Sequence, residues 1–114
     1  MELYRYKVHS VDKIVDGDTV DLTIDLGFNI LIKQRIRLFG IDAPEIRTKD
    51  LVEKEYGVAA KSWLYDAIFF TDLLYIQTVK QNDKYGRILG ILYVGNSEES
   101  INEQMVLEGY AIRM

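Results

Sequence analysis

Between Val20 and Phe39 the chain alternates apolar and polar residues with a period of two, broken once at Gly27-Phe28-Asn29. Val20, Leu22 and Ile24 stand against Asp21, Thr23 and Asp25, and Ile30, Ile32, Ile36 and Leu38 share one side of the second run. This is the spacing of half-buried strands, so the two runs read as a hairpin with its turn at residues 27–29. A sheet with one apolar face must cover that face, and no other feature of the chain limits the fold as strongly.

The flanking segments show what covers it. "YRYKVHSVDKIV", at the start, is strand-like without a clear register. Residues 57–70, "GVAAKSWLYDAIFF", change period: Ala60, Trp63, Leu64, Ala67 and Ile68 form the stripe of a core-facing helix. "LLYIQTVK" and "RILGILYVG" read as two further strands around the polar loop "QNDKYG". A short helix is expected over 101–108, where Ser100 and Glu103 have capping-box spacing. Five strands with a helix inserted between the third and fourth suit an α+β, mainly β, closed barrel of the OB type. A ferredoxin-like sandwich would need a helix between the first two strands, and "DKIVDGDTVDL" leaves no room for one.

Composition narrows the function classes. With 114 residues and 48% hydrophobic content, a single domain over 1–114 with a core of its own is expected. Cys is 0, which excludes a disulfide framework and a thiolate metal site. No apolar run approaches the ~20 residues of a membrane span, and the start "MELYRYK" lacks the apolar region of a signal peptide. The expectation is an intracellular, cytoplasmic or already trimmed monomer with no membrane partner, with release from the cell left open. A formal charge of −4 argues against a broad basic surface for nucleic acid but leaves room for a local cationic site.

Three constellations could carry chemistry. In "VDGDTV" the Asp16-Gly17 pair reads as a turn, while parity puts Asp18 on the face used by Val20, Leu22 and Ile24. A carboxylate there needs a cation or strong donors. In "RIRLFGIDAPE" Pro44 holds Ala43 extended, so Asp42 and Glu45 stand on a stiff, non-helical turn. Oxygen ligands, with one histidine (His9) in a separate strand, imply a hard cation such as Ca²⁺, Mg²⁺ or Mn²⁺. Arg37 adds a fork donor suited to phosphate, and "NDKYGR" brings Arg87 to the start of a strand. Alone, each has a bland reading as a turn or a solvated loop. Together, carboxylates for a divalent cation, two arginines for phosphate and a free carboxylate for a proton are an apparatus for phosphodiester hydrolysis.

"DGDT" at 16–19, "RLFGIDAPE" at 37–45, "YGVAA" at 56–60, "DKYGR" at 83–87 and "NEQMVLEGYA" at 102–111 follow one another in order. In this the chain resembles the staphylococcal nuclease (thermonuclease) family, from about Lys7 to its end. The resemblance implies a five-stranded OB-type barrel and a calcium-dependent nuclease that hydrolyses DNA and RNA, preferably single-stranded, to 3′-phosphorylated products. It implies Asp18, Asp42 and the backbone carbonyl of Ala43 as calcium ligands. It further implies Arg37 and Arg87 as phosphate-gripping catalytic residues, and Glu45 as the general base. Asp16 and Thr19 match the outer-sphere residues of the site, and Lys84 and Tyr85 match positions that contact a nucleotide's phosphate.

Two departures accompany the likeness. Secreted members of the family are often strongly basic, whereas this chain is acidic, so a weaker non-specific grip is expected. The family usually continues past the equivalent of Met114 into a C-terminal helix, so the expectation is either a shortened chain or a minimal version of the family. The competing expectation is a catalytically weak module that binds nucleic acid or protein; the presence of Asp18, Arg37, Asp42, Glu45 and Arg87 together favours catalysis.

Overall fold

The computed structural model describes residues 4–114, apart from the side chains at 81 and 82. Its strands are β1 (Arg5–Asp16), β2 (Thr19–Asp25), β3 (Leu31–Leu38), β4 (Ile41–Asp42), β5 (Leu74–Asn82), β6 (Ile88–Val94) and β7 (Ile112–Arg113); its helices are α1 (Leu51–Ile68) and α2 (Ile101–Leu107). Five strands close into a barrel in the order β1-β2-β3-β6-β5, and β4 pairs with β7 in a separate two-stranded ladder. This is the OB-type α+β architecture expected from the periodicities.

The alternating runs bury most of their apolar side, but Ile30 and Ile32, expected on that side, are 52% and 37% exposed because they stand at the hairpin end, beyond the part of β3 that pairs with β6. Val20, Leu22 and Ile24 of β2 and Ile36 and Leu38 of β3 are buried with Ile76, Leu92 and the α1 residues Leu64 and Ile68. Three irregularities in the β1–β2 ladder, between Val8 and Ser10, Val11 and Lys13, and Ile14 and Asp16, account for the unreadable register of the first strand. Each such bulge bends and twists the strand, as closing a barrel demands. Closure itself comes from a parallel pair, with Ile36, Arg37 and Leu38 beside Ile88, Leu89 and Gly90. Local periodicity has no means of announcing that long-range contact.

Three boundaries differ from the sequence reading. The helix expected over 57–70 begins at Leu51 and ends at Ile68. Its first turn shows no apolar stripe because Leu51, Val52 and Tyr56 face solvent. The available signal was Asp50, whose carboxylate caps the Val52 and Glu53 amides at 3.0 and 3.2 Å. The second helix, expected over 101–108, ends at Leu107 and forms half of the capping box. Ser100 Oγ accepts the Glu103 amide at 3.0 Å, but the Glu103 carboxylate turns away to pair with Arg113. β3 begins at Leu31, because Ile30 closes the turn by donating to Gly27 O.

Two contacts set the ground for the site. Asn102 on α2 accepts Leu92 N–H at 3.1 Å and donates to Phe39 O at 2.9 Å and Gly90 O at 3.1 Å, tying the helix to β6 and to the end of β3. On the other flank α1 meets the chain after β4 through Gly57. A Cβ at that position would lie 2.8 Å from Glu45 O and 2.9 Å from Pro44 O. "YGVAA" is therefore a mid-helix packing surface, where backbone lies directly on helix.

Gly57→Ala sets about 1 kcal/mol of helix propensity against an overpacking cost of about 1–3 kcal/mol. Because the clash is with backbone, overpacking wins. We expect a net loss of up to about 2 kcal/mol by urea denaturation; a stabilised variant would show that the contact yields.

The Asp21–Arg35 cross-strand pair on the barrel exterior is expected to make stability pH-dependent. Its hydrogen bond from Arg35, with the Arg35 charge in support, holds the Asp21 carboxyl below its ordinary value of 3.8. A depressed folded-state pKa adds stability that is complete above the unfolded value and disappears as pH falls through the folded one. Asp21→Asn should therefore melt below wild type at pH 7, and the two melting temperatures should converge in strong acid.

Candidate active site

The site forms where four chain segments meet at one end of the barrel. Asp18 lies in the β1–β2 turn and is 7% exposed, so the solvent-frayed alternative does not hold; Thr19 and Thr23, of the opposite parity, are equally buried at 5% and 6%. Its carboxylate accepts Ala43 N–H at 2.9 Å through Oδ2 and the Thr19 hydroxyl at 3.0 Å through Oδ1. Arg37 Nη2 stands 3.5 Å from Asp18 Oδ2 and 3.4 Å from Asp42 Oδ1, while Nη1 donates to Leu38 O at 2.8 Å. One guanidinium thus spans two carboxylates. A buried carboxylate with these donors is compensated rather than stranded.

Gly17 has its own reason to be glycine. A Cβ there would lie 2.7 Å from Ala60 Cβ and 3.0 Å from Ala43 Cβ. The Asp16-Gly17 pair is thus more than a turn signal: Gly17 lets the turn seat between α1 and the segment that carries Ala43. Burial raises the pKa of the neighbouring Asp16, with the nearby Asp18 charge adding to it. The Ile46 amide, Arg47 and Lys61 oppose that rise.

Arg87 arrives from the β5–β6 hairpin. Asp83 organises that turn, accepting the Tyr85 amide at 2.9 Å, the Arg87 amide at 2.8 Å and Arg87 Nε at 2.5 Å. Gly86 takes φ 77°, a left-handed value that favours glycine. The parallel pairing of β3 with β6 then brings Arg87 and Arg37 to the same cleft.

That cleft has a volume of about 320 Å³ and is lined by Asp16, Asp18, Thr19, Arg37, Asp42, Ala43, Glu45 and Arg87, together with Pro44 and Arg47. Lys84 and Tyr85 are not among its walls. They stay on the hairpin outside it, with Lys84 Nζ 5.1 Å and Arg87 Cζ 5.3 Å from the Tyr85 ring centroid. Sequence reasoning missed Arg47, which lies two residues past Glu45 in an irregular loop, and Asp83, whose signal was the Asx turn inside "NDKYGR".

Among the described residues no three His, Cys, Asp or Glu side chains cluster in a way that could hold a metal ion. The donor set is smaller: the Asp18 and Asp42 carboxylates, backbone oxygens and the Thr19 hydroxyl, all hard oxygen donors. Such a set fits a hard divalent cation whose remaining positions go to water and phosphate.

A family model described as "Staphylococcal nuclease homologue" matches residues 35–114. Asp16, Asp18 and Thr19 precede that span and reach the cleft through the barrel. The chain is 34% identical to the protein ParB of Escherichia coli over 89% of its length and 54% of that protein's. It is also 34% identical to a micrococcal nuclease of Shigella flexneri, over 89% of this chain and 55% of the other. A thermonuclease of Staphylococcus intermedius is 29% identical over 94% of this chain and 60% of its own length. The chain spans between 54% and 60% of the length of these three relatives. With most of its length matched, the chain belongs to the staphylococcal nuclease homologue family.

Proposed function

We propose that this protein is a calcium-dependent nuclease that hydrolyses phosphodiester bonds of DNA and RNA, preferably single-stranded, and leaves 3′-phosphorylated products. The observation that supports this most is the convergence of Arg37, on β3, and Arg87, in the turn just before the parallel β6, on a cleft that also holds Asp18, Asp42 and Glu45. Paired guanidinium forks suit a phosphate whose charge grows in the transition state. Glu45, exposed on the stiff turn after Pro44, takes a proton from the attacking water. Asp18, Asp42 and the Ala43 carbonyl would hold Ca²⁺, which when bound supplies charge neutralisation and polarisation at a phosphoryl oxygen. Asp16 and Thr19 would hold this edge in place, and Lys84 and Tyr85, outside the cleft on the hairpin, would meet a neighbouring phosphate.

Cleavage of single-stranded DNA and RNA is expected with Ca²⁺ and is expected to cease with excess chelator. Glu45→Gln and Arg87→Ala should each lower kcat/KM by about 10²-fold or more while circular dichroism stays unchanged. Arg37→Ala also removes the partner of a buried carboxylate, at a cost of about 3–5 kcal/mol, so Arg37→Lys is the companion that keeps the charge. Retained binding with intact substrate under every metal would establish the binding module instead.

Ligand linkage offers a second measurement. Ca²⁺ and a nucleoside 3′,5′-bisphosphate added together should raise the melting temperature by more than the sum of their separate effects, because each neutralises charge that the other faces. Independent, additive shifts would place the two ligands in separate sites.

A further inference from the structure

Three arginines line the cleft, and two of them are already engaged. Arg37 stands against Asp18 and Asp42, and Arg87 donates to Asp83. Arg47 differs: it is exposed, and among the described residues its side chain enters no ion pair. Its backbone, by contrast, is fixed. Thr48 N–H donates to Ile46 O at 3.0 Å, which makes Arg47 the middle residue of a three-residue turn. Asp50 N–H donates to Thr48 Oγ1 at 3.2 Å, and Asp50 in turn caps α1. A guanidinium fork without a carboxylate, carried on an ordered loop, receives an anion at small entropic cost.

The order of strands decides which part of a substrate this fork meets. At the cleft end of the barrel Asp16 of β1 pairs with Thr19 of β2, Thr19 with Arg37 of β3, and Arg37 with Leu89 of β6. Arg87 lies just before β6, so Asp16 and Arg87 stand on opposite sides of Arg37. Arg47 belongs to the Asp16 side, because it and Lys61 of α1 are close enough to Asp16 to act on its charge. Lys84 and Tyr85 lie with Arg87 on the hairpin at the other side. Asp16 and Glu45 share the cleft with Arg47, so a free fork marks this edge rather than an excess of positive charge.

Resting on the nucleic-acid reading of this cleft, we propose that Arg47 forms a second phosphate subsite. It takes the backbone phosphate next to the scissile one, on the side away from Lys84 and Tyr85. Arg37 and Arg87 are held by carboxylates around the place of reaction, whereas Arg47, on the far side of β3 from Arg87, meets the nucleic acid as it leaves. Lys61 adds charge beside it. A substrate with several phosphates gains a contact that an ester with one phosphate lacks. The subsite therefore selects polynucleotide over dinucleotide, and it acts on KM rather than on kcat.

Two substrates and one binding measurement test this. With Ca²⁺, Arg47→Ala should raise KM for oligothymidylate about tenfold at unchanged kcat. It should leave kcat/KM at the wild-type value for thymidylyl-thymidine, which has a single phosphodiester. Binding is read by fluorescence anisotropy with a phosphorothioate oligothymidylate, which keeps its charge and resists cleavage. There the variant loses one phosphate contact, so the slope of log K against log salt should become shallower by about 0.7. Arg47→Lys should keep that slope and recover part of the affinity, and both variants should melt with the wild type. Equal losses on the two substrates would overturn the proposal, because they put Arg47 on the scissile phosphate or make it a prop of its loop. Unchanged KM with an unchanged salt slope would overturn it too, as would a wild type that does not bind the phosphorothioate. A wild type that cleaves neither substrate, while Arg47→Ala still flattens the slope, would refute hydrolysis and support the subsite.

Discussion

The buried carboxylate of Asp18 is the constraint on which the site depends. It accepts hydrogen bonds from Ala43 N–H and the Thr19 hydroxyl and stands beside Arg37, so one side chain joins the β1–β2 turn, the end of β3 and the chain after β4. An ionised carboxylate with so little solvent access is tolerable only while those donors stay in place. The same group that imposes this cost aligns three segments distant in sequence. The function proposed for it, holding a cation, uses the negative charge that makes its burial expensive.

Glycines let the surrounding backbone approach closely enough for this to work. Gly17 seats the turn against Ala60 and Ala43, and Gly57 lets α1 rest on the Pro44–Glu45 backbone. The helix thus acts as a brace behind the carboxylates rather than as a supplier of catalytic groups. On the other side Asp83 ties the β5–β6 turn to Arg87, and Asn102 locks α2 onto β6 and the end of β3. Motif residues outside the cleft are intelligible as the supports that keep it in shape.

Charge is distributed unevenly over the molecule. The chain is acidic overall, yet three arginines face the cleft. Four acids and three arginines line the cleft, so the site mixes both signs of charge and presents no broad positive field. For a polyanionic substrate that means recognition through specific contacts more than through long-range attraction.

Much of the fold was legible in the sequence, because periods of two and 3.6 report which face of an element is buried. Val20, Leu22, Ile24 and the stripe from Ala60 to Ile68 fall where that logic puts them. The first turn of α1 was not legible, since exposed Leu51 and Val52 carry no periodic signal. The register of β1 was hidden by bulges that only barrel closure requires. The residue types for phosphate chemistry were readable in order along the chain, but the burial of Asp18 does not follow from parity, since Thr19 and Thr23 are buried with it. Tertiary structure decided which of them meet. The parallel pairing of β3 with β6 brings Arg87 to Arg37, the loop after β4 adds Arg47, and the hairpin keeps Lys84 and Tyr85 outside the cleft. Residue chemistry is local and is written in the sequence. Convergence depends on contacts between segments far apart in the chain, whose loop-closure cost and packing gain are settled only when the whole barrel forms.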